Sequence, residues 1–210
     1  MTIEGFLKKT LGNDTSGHDL AHAHRVLAFA RIIQEKEGGD LSYVEGCALL
    51  HDCLDSKLGL DTEKQEGRVY DCLLENGYEP PIAKAMIRTM KRMSFHLHDE
   101  SDLKLEDKIV RDADRLDALG KVGARRALAY GKAKGRPLFS EANIKEIRQG
   151  LPPTGESTVA HFFDKLLILD RYLYTETAKT MAVPLKRELI ESLRELFTSV
   201  GLTLDERILP

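Results

Sequence analysis

Apolar residues recur at helical spacing along most of the chain, and this periodicity constrains the fold more than any other feature. A clear example runs from 19 to 37 and ends at two glycines; its apolar positions are Val26, Leu27, Phe29, Ala30 and Ile33. This spacing repeats every 3.6 residues, as on one side of an amphipathic helix. No alternating run makes a convincing strand. The sequence therefore predicts an all-α fold of about eight to ten helices.

The predicted helices follow one another with short connections. Their ranges are 3–11, 19–37, 42–54, 62–76, 82–93, 105–119, 122–130, 143–149, 157–174 and 175–198. Capping-box patterns at Ser42 and Thr62 predict two of the helix starts, and Ser157 is a predicted cap for a third. The segment 151–157, with two prolines and a glycine, is the best candidate for a boundary or a long connection.

Charge and composition exclude several classes of protein. Hydrophobic residues make up 42% of the 210 residues and charged residues 31%, which permits a buried core and argues against disorder. The net charge of −3 gives no global basic field, so nucleic acid is not an expected partner. The local exception is the run 125–136; its cations are Arg125, Arg126, Lys132, Lys134 and Arg136. Such a run is either a solvated helix face or a contact for phosphate or a partner.

The cysteines and the N-terminal segment indicate the cellular compartment in which the protein is expected. Cys47, Cys53 and Cys72 lack Cys-x-x-Cys spacing, and the first residues lack the apolar stretch of a signal peptide. We therefore expect reduced thiols and a cytoplasmic protein. No segment approaches about 18 uninterrupted apolar residues, so no membrane partner is expected.

Histidines cluster near the start of the second predicted helix. His18, His22 and Arg25 share one side of that helix, because residues three and four apart are neighbours, whereas His24 points elsewhere. If one of these histidines binds a metal, His22 is the better candidate. The alternative is that they are polar surface residues of an amphipathic helix.

An apolar run ends in the adjacent pair His51-Asp52, which is unusual because a buried aspartate is costly unless it is paired or bound to a cation. Imidazole and carboxylate together suit Zn, Mn, Fe and similar ions. Asp55 lies on the same side, four residues from His51. It is either a carboxylate at the helix end or the group that orients or deprotonates an attacking water.

A third segment contains three carboxylates within six residues, at Asp112, Asp114 and Asp117. Asp114 and Asp117 face the same way on a helix. Their mutual repulsion can be offset by Arg111 and Arg115 or by a bound cation, and the segment alone does not decide between these alternatives.

Together the three segments resemble the HD-domain superfamily of metal-dependent phosphohydrolases. The matching segments are HDLAHAHRV, LLHDCLD and IVRDADRLDALG, and the resemblance extends over about residues 15 to 185. It implies a helical bundle forming one domain over 1–210, with a core at about 15–140 and C-terminal helices 157–200 packed on it. It is closest to the stand-alone bacterial HD hydrolases.

The resemblance implies that His22, His51, Asp52 and Asp114 hold one divalent ion, which could be Mn, Mg, Fe, Co, Ni or Zn. Some relatives hold two metals with two further histidines, but here only His96 and His98 lie between the His-Asp pair and the last aspartate. These two are close together, which argues for a mononuclear site and against a di-iron oxygenase. We expect His96 and His98 to be loop or substrate-side residues.

The resemblance also implies a small phosphorylated substrate, with a nucleotide as the leading candidate. Asp55 and Asp117 are the predicted catalytic carboxylates; the predicted substrate-binding residues are His18, Arg25 and Lys57. An alternative is a catalytically inactive nucleotide-binding or regulatory module of the same fold. The apolar positions of the last helix, 184–198, suit core packing or a homodimer contact.

Overall fold

The computed structural model describes residues 1–12, 19–54, 61–93 and 102–210, and within these ranges the protein is all-α, as predicted, with no strand. The α-helices are α1 (Ile3–Leu11), α2 (Leu20–Glu37), α3 (Leu41–Leu50), α4 (Thr62–Glu75), α5 (Pro80–Lys91), α6 (Leu105–Asp117), α7 (Gly120–Ala133), α8 (Glu141–Arg148), α9 (Thr158–Asp164) and α10 (Glu176–Ser199). Short 3₁₀ segments follow α3 (His51–Leu54), α9 (Leu166–Tyr172) and α10 (Glu206–Ile208).

Aspartates open three of the early helices. The side chains of Asp19, Asp40 and Asp61 accept hydrogen bonds from backbone N–H groups three residues further on, which satisfies donors that have no partner within the helix. The predicted caps Ser42 and Thr62 were wrong, because an aspartate one or two residues earlier takes the capping position. The cap at Ser157 is confirmed, since its hydroxyl accepts from the Ala160 N–H at 3.1 Å.

Two predicted helices change character before they end. The helix predicted for 42–54 becomes a 3₁₀ turn at His51, and the one predicted for 157–174 becomes 3₁₀ after α9. In contrast, α7 continues through Gly131, which was predicted to begin a loop. A β-carbon at Gly131 would lie 2.1 Å from the Thr158 hydroxyl oxygen, so the glycine allows α7 and α9 to pack closely.

The chain divides into two compact units, Met1–Asp114 and Arg115–Pro210, with the division inside α6. In the first unit, α1 to α5 pack around an apolar core. Its largest fully buried side chains include Phe6, Ile33, Leu50, Leu73 and Met86. Burying a side chain of this kind contributes about 1.5–3 kcal/mol. The segment 151–157 is a connection between α8 and α9 within the second unit.

Hydrogen bonds join α6 to α3 and α5 in the first unit. The Tyr43 hydroxyl lies 2.7 Å from the Thr89 hydroxyl, and Thr89 in turn donates to the buried carboxylate of Asp107. Arg111 donates to the main-chain carbonyl of Arg92. Buried polar groups are costly unless satisfied, so these bonds fix α6 against its neighbours.

In the second unit, α7 packs against α10 and α9. The core there contains Phe162, Leu167, Leu189, Leu193 and Phe197. Across the described ranges, none of the helices combines the length and the apolar character needed to cross a membrane.

Candidate metal centre

Four side chains from three parts of the first unit converge on one point. They are His22 on α2, His51 and Asp52 on the 3₁₀ turn, and Asp114 on α6. The Nε2 atoms of His22 and His51 are 3.1 Å apart. The His22 Nε2 lies 3.2 Å from Asp52 Oδ2 and 3.5 Å from Asp114 Oδ1. The His51 Nε2 lies 3.4 Å from Asp52 Oδ1 and 3.7 Å from Asp114 Oδ1.

The first turn of α2 positions His22. Its backbone N–H donates to the Asp19 carboxylate at 2.8 Å, so the cap that starts the helix also fixes the residue that carries the imidazole. The side chain is buried, with only 1% exposed. The sequence offered Asp19 as a helix start, but its bond to His22 depends on the cap geometry.

A main-chain carbonyl orients His51. The ring Nδ1 lies 2.8 Å from the Ala48 oxygen, one turn earlier in α3. A carbonyl only accepts, so Nδ1 carries the proton and Nε2 presents its lone pair toward His22 and the carboxylates. A partner of this kind commonly orients metal-binding histidines. The sequence analysis missed Ala48, because an alanine side chain carries no signal for a carbonyl contact.

The donor set fits one divalent cation. Ligand atoms about 2.1 Å from a common ion lie about 3.0 Å apart at right angles and about 3.4 Å apart at tetrahedral angles. The five separations at this centre, from 3.1 to 3.7 Å, are close to both values. His22, His51 and Asp114 each offer one ligand atom within 4.8 Å of the others, whereas Asp52 faces the two imidazoles through different oxygens. Two imidazoles and two carboxylates suit Mn, Fe, Co, Ni or Zn, so the residues present fit the predicted ion.

The electrostatics of the centre keep Asp114 ionised. Burial alone would raise the pKa of its carboxyl, but the hydrogen bond from His22 and the electrostatic interaction with the two adjacent imidazoles outweigh burial. The pKa of Asp114 therefore lies well below its ordinary value. Its side chain is still 33% exposed, whereas the two imidazoles are 1% exposed. The centre thus has one partly open side, next to Asp114.

The structure describes only some of the remaining predicted site residues. His18, Asp55, Lys57, His96 and His98 lie outside the described residues. Arg25 is partly exposed and follows His22 by three residues on α2. Asp112 is fully buried on α6.

Asp117 is also buried, and its carboxylate accepts from Arg126 Nη1 at 2.7 Å. Arg115, a predicted neutraliser of the carboxylates, donates to the Tyr172 carbonyl and lies 5.0 Å from the centre of the Tyr174 ring. The catalytic role of Asp117 remains a prediction.

Comparisons with known proteins identify the family of this chain. A family profile described as "HD domain" matches residues 19–119, a range that contains all four converging residues. The chain is 36% identical over 197 residues to YpgQ of Bacillus subtilis, covering 92% of this chain and 90% of that protein.

Solved structures agree as well. The crystal structure of Bacillus subtilis YpgQ in complex with ADP is similar with a TM-score of 0.74, at 34% identity over 94% of this chain and 96% of that one. An HD-superfamily hydrolase from Bacillus thuringiensis is similar with a TM-score of 0.71, at 34% identity over 95% of this chain and 96% of that one. The chain therefore belongs to the HD-domain superfamily.

Proposed function

We propose that this protein is a metal-dependent phosphohydrolase that cleaves a phosphate ester or anhydride, with a nucleotide as substrate. The observation that carries the proposal is the convergence of His22, His51, Asp52 and Asp114 at separations of 3.1 to 3.7 Å. Membership of a superfamily that includes a hydrolase with 34% identity supports it.

The four residues would hold one divalent ion. When bound, such an ion supplies Lewis acidity, which activates water and offsets the charge of a phosphoryl group. His51 contributes through Nε2, because Ala48 holds its other ring nitrogen. Asp114 contributes as an anion, because contacts with the two histidines keep the pKa of its carboxyl far below neutral pH despite burial.

The remaining chemistry is assigned to residues around the ligands. Asp55 lies three residues after Asp52 in the sequence, and we assign it to holding or deprotonating the attacking water. Phosphoryl transfer also needs positive charge near the phosphate oxygens. Arg25 and Lys57 are assigned to that contact, and His18 to the substrate or to the leaving group. Asp117 is a second candidate for the water, although its carboxylate is bound by Arg126.

A nucleotide is the proposed substrate class because the structure of YpgQ, similar over 94% of this chain, contains ADP. Nucleoside monophosphates and triphosphates are the leading candidates within that class. The partly exposed carboxylate of Asp114 marks the side from which a phosphate could approach the centre.

The test is a turnover screen with the purified full-length protein and added Mn(II), Mg(II), Co(II) or Ni(II). Nucleoside mono-, di- and triphosphates are incubated separately, and the products are separated by ion-exchange chromatography. Chromatography distinguishes release of phosphate from release of pyrophosphate. The expected result is metal-dependent hydrolysis that is lost in the His51→Ala variant and retained in the His24→Ala variant.

Other outcomes would replace the proposal. A protein that binds the metal and nucleotides without hydrolysing any phosphate ester would be a binding or regulatory module. Consumption of oxygen by the iron-loaded protein, with no phosphate release, would indicate an oxygenase of the same fold.

A further inference from the structure

The second unit carries a row of exposed cations on α7. Between Asp117 and Glu141 the chain has no acidic residue. It has six basic ones there, at Lys121, Arg125, Arg126, Lys132, Lys134 and Arg136. In a chain of net charge −3, this is a strong local separation of charge.

Three of these cations lie on one side of α7. Lys121, Arg125 and Lys132 are separated by four and seven residues, which returns each to nearly the same direction on a helix. They extend over about 16 Å along the helix axis, at 1.5 Å per residue. All three are exposed. The opposite side consists of small buried residues, including Gly123, Ala124 and Gly131.

Two further cations meet at the end of α7. The Nζ of Lys134 lies 5.7 Å, and the guanidinium carbon of Arg136 5.6 Å, from the centre of the Tyr130 ring. Gly135 has a φ of +67°, and the N–H of Arg136 donates to the Gly131 carbonyl at 2.9 Å, so the turn brings Arg136 back toward the helix. Contact with a ring does not neutralise a cation, so two positive charges remain close together.

Within the part of the chain that the structure describes, no ion pair involves Lys121, Arg125, Lys132, Lys134 or Arg136. Arg126, by comparison, pairs with Asp117, and Lys186 pairs with Asp170. Glu188 lies near the start of α7, since its Oε2 would be 3.1 Å from a β-carbon at Gly120.

The helix dipole does not account for this arrangement. Cations at the C-terminal end of a helix are stabilised by its dipole, which explains Lys132 and Lys134. Lys121 stands in the first turn of α7, where the dipole disfavours a positive charge. The row therefore extends to the end of α7 at which the helix dipole does not favour a cation.

We propose that this surface, formed by Lys121, Arg125, Lys132, Lys134 and Arg136 and called the α7 cation row, binds the phosphate backbone of a single-stranded nucleic acid. A single row of this length matches several successive phosphates of one strand. A lipid surface is less suitable, because Leu128, the large apolar side chain on the same side of α7 as the three cations, is only partly exposed. The net negative charge of the chain makes the binding weak and salt-dependent.

The test measures fluorescence anisotropy of labelled 15-nucleotide oligo(U) and oligo(dT) with the full-length protein from 50 to 200 mM KCl. The wild type should bind, with an affinity that falls as salt rises. The Lys121→Gln/Arg125→Gln variant should bind about fivefold or more weakly. Its plot of log K against log[salt] should be shallower by about 1.4, or about 0.7 for each lost phosphate contact. Lys134→Gln/Arg136→Gln should behave similarly.

The matched control is Lys84→Gln/Arg88→Gln on α5. These two cations are also exposed and four residues apart, and the charge change is identical. This variant should bind the oligonucleotides like the wild type. Equal losses in the control and in the α7 variant, or no binding of either oligonucleotide at 50 mM KCl, would overturn the proposal.

A parallel flotation assay uses vesicles containing phosphatidylglycerol. Vesicle binding that needs the α7 cation row, without oligonucleotide binding, would also overturn the proposal. Comparison of oligo(U) with oligo(dT) decides between RNA and DNA as the bound strand. Nucleotide turnover by the α7 variants is measured separately, so failure of this proposal is distinguishable from failure of the proposed hydrolase activity.

Discussion

The imidazoles of His22 and His51 meet edge to face, with their Nε2 atoms 3.1 Å apart although 29 residues separate them in the chain. Their ring centres are 5.0 Å apart and the ring planes are inclined at 73°. The main-chain carbonyl of Ala48 accepts a hydrogen bond from His51 Nδ1, so the Nε2 lone pair faces His22 and the carboxylates. The proposed cation would lie between the two rings and the Asp114 carboxylate, whose ligand atoms lie within 4.8 Å of one another.

We expect His51→Ala or Asp52→Ala to abolish metal retention. Each change removes one of the four proposed ligands, and three donors bind the ion less strongly than four. The measurement is elemental analysis of protein purified with Mn(II) and passed through a desalting column, with circular dichroism to confirm that the helices persist.

His24→Ala is the matched control for the loss of an imidazole. His24 lies on α2, two residues after His22, but its side chain is 48% exposed and faces Glu4 at 3.5 Å. This variant should retain the ion as the wild type does. Metal loss in His24→Ala, or full retention in His51→Ala, would contradict the assignment of the ligands.

Asp55→Asn should retain the ion and lose turnover. The substitution keeps the size of the side chain and removes the charge needed to deprotonate water, at a cost of about 10²–10⁴ in rate. The measurement compares metal content with kcat in the same preparation. Loss of the ion from Asp55→Asn would instead make Asp55 a ligand.

Gly46→Ala and Gly67→Ala should change stability in opposite directions. A β-carbon at Gly46 would lie 2.6 Å from the Tyr78 hydroxyl, which is held by a hydrogen bond to the Ser42 carbonyl, and 2.5 Å from Met86. The crowding should cost about 1–3 kcal/mol. Gly67 lies on α4 with nothing within 4 Å of the added carbon, so Ala should stabilise by about 0.5–1 kcal/mol.

Urea denaturation followed by circular dichroism tests this pair. Both glycines belong to the unit Met1–Asp114, so the two variants report on the same core. Equal effects of the two substitutions would show that the gap between α3 and Tyr78 accommodates a methyl group.

Stability should fall in alkaline solution through Tyr43. Burial raises the pKa of its hydroxyl well above the ordinary value of 10, with a smaller contribution from nearby Cys47. The folded protein therefore holds this proton more tightly than the unfolded chain. The contribution of Tyr43 is complete below pH 10 and is lost as the pH rises toward the folded-state pKa.

Tyr43→Phe isolates this effect. At pH 8 the variant should be about 1 kcal/mol less stable, because the hydrogen bond to Thr89 is gone. The difference between the wild type and the variant should narrow above pH 10, as measured by urea denaturation at pH 8, 9.5 and 10.5. A constant difference across this range would contradict the role of Tyr43.

The local pattern of apolar residues was sufficient to predict the positions of most helices. The period of the apolar residues placed α2 within one residue of its observed range, and α1 was predicted at both ends. The cap of α3 was misplaced, because Ser42 and Asp40 both suit an N-cap and only the backbone path selects one. The continuation of α7 through Gly131 depended on contact with Thr158, which lies 27 residues away in the chain.

The sequence by itself determined which residue types could form the centre, since a histidine, an adjacent His-Asp pair and a later aspartate are visible in order. Only the tertiary structure brought His51, Asp52 and Asp114 within 3.5 Å of one atom, the Nε2 of His22. The tertiary structure also pairs Asp117 with Arg126, which lies nine residues later in the chain. Helical periodicity is local, whereas ion pairing depends on which faces of different helices pack together.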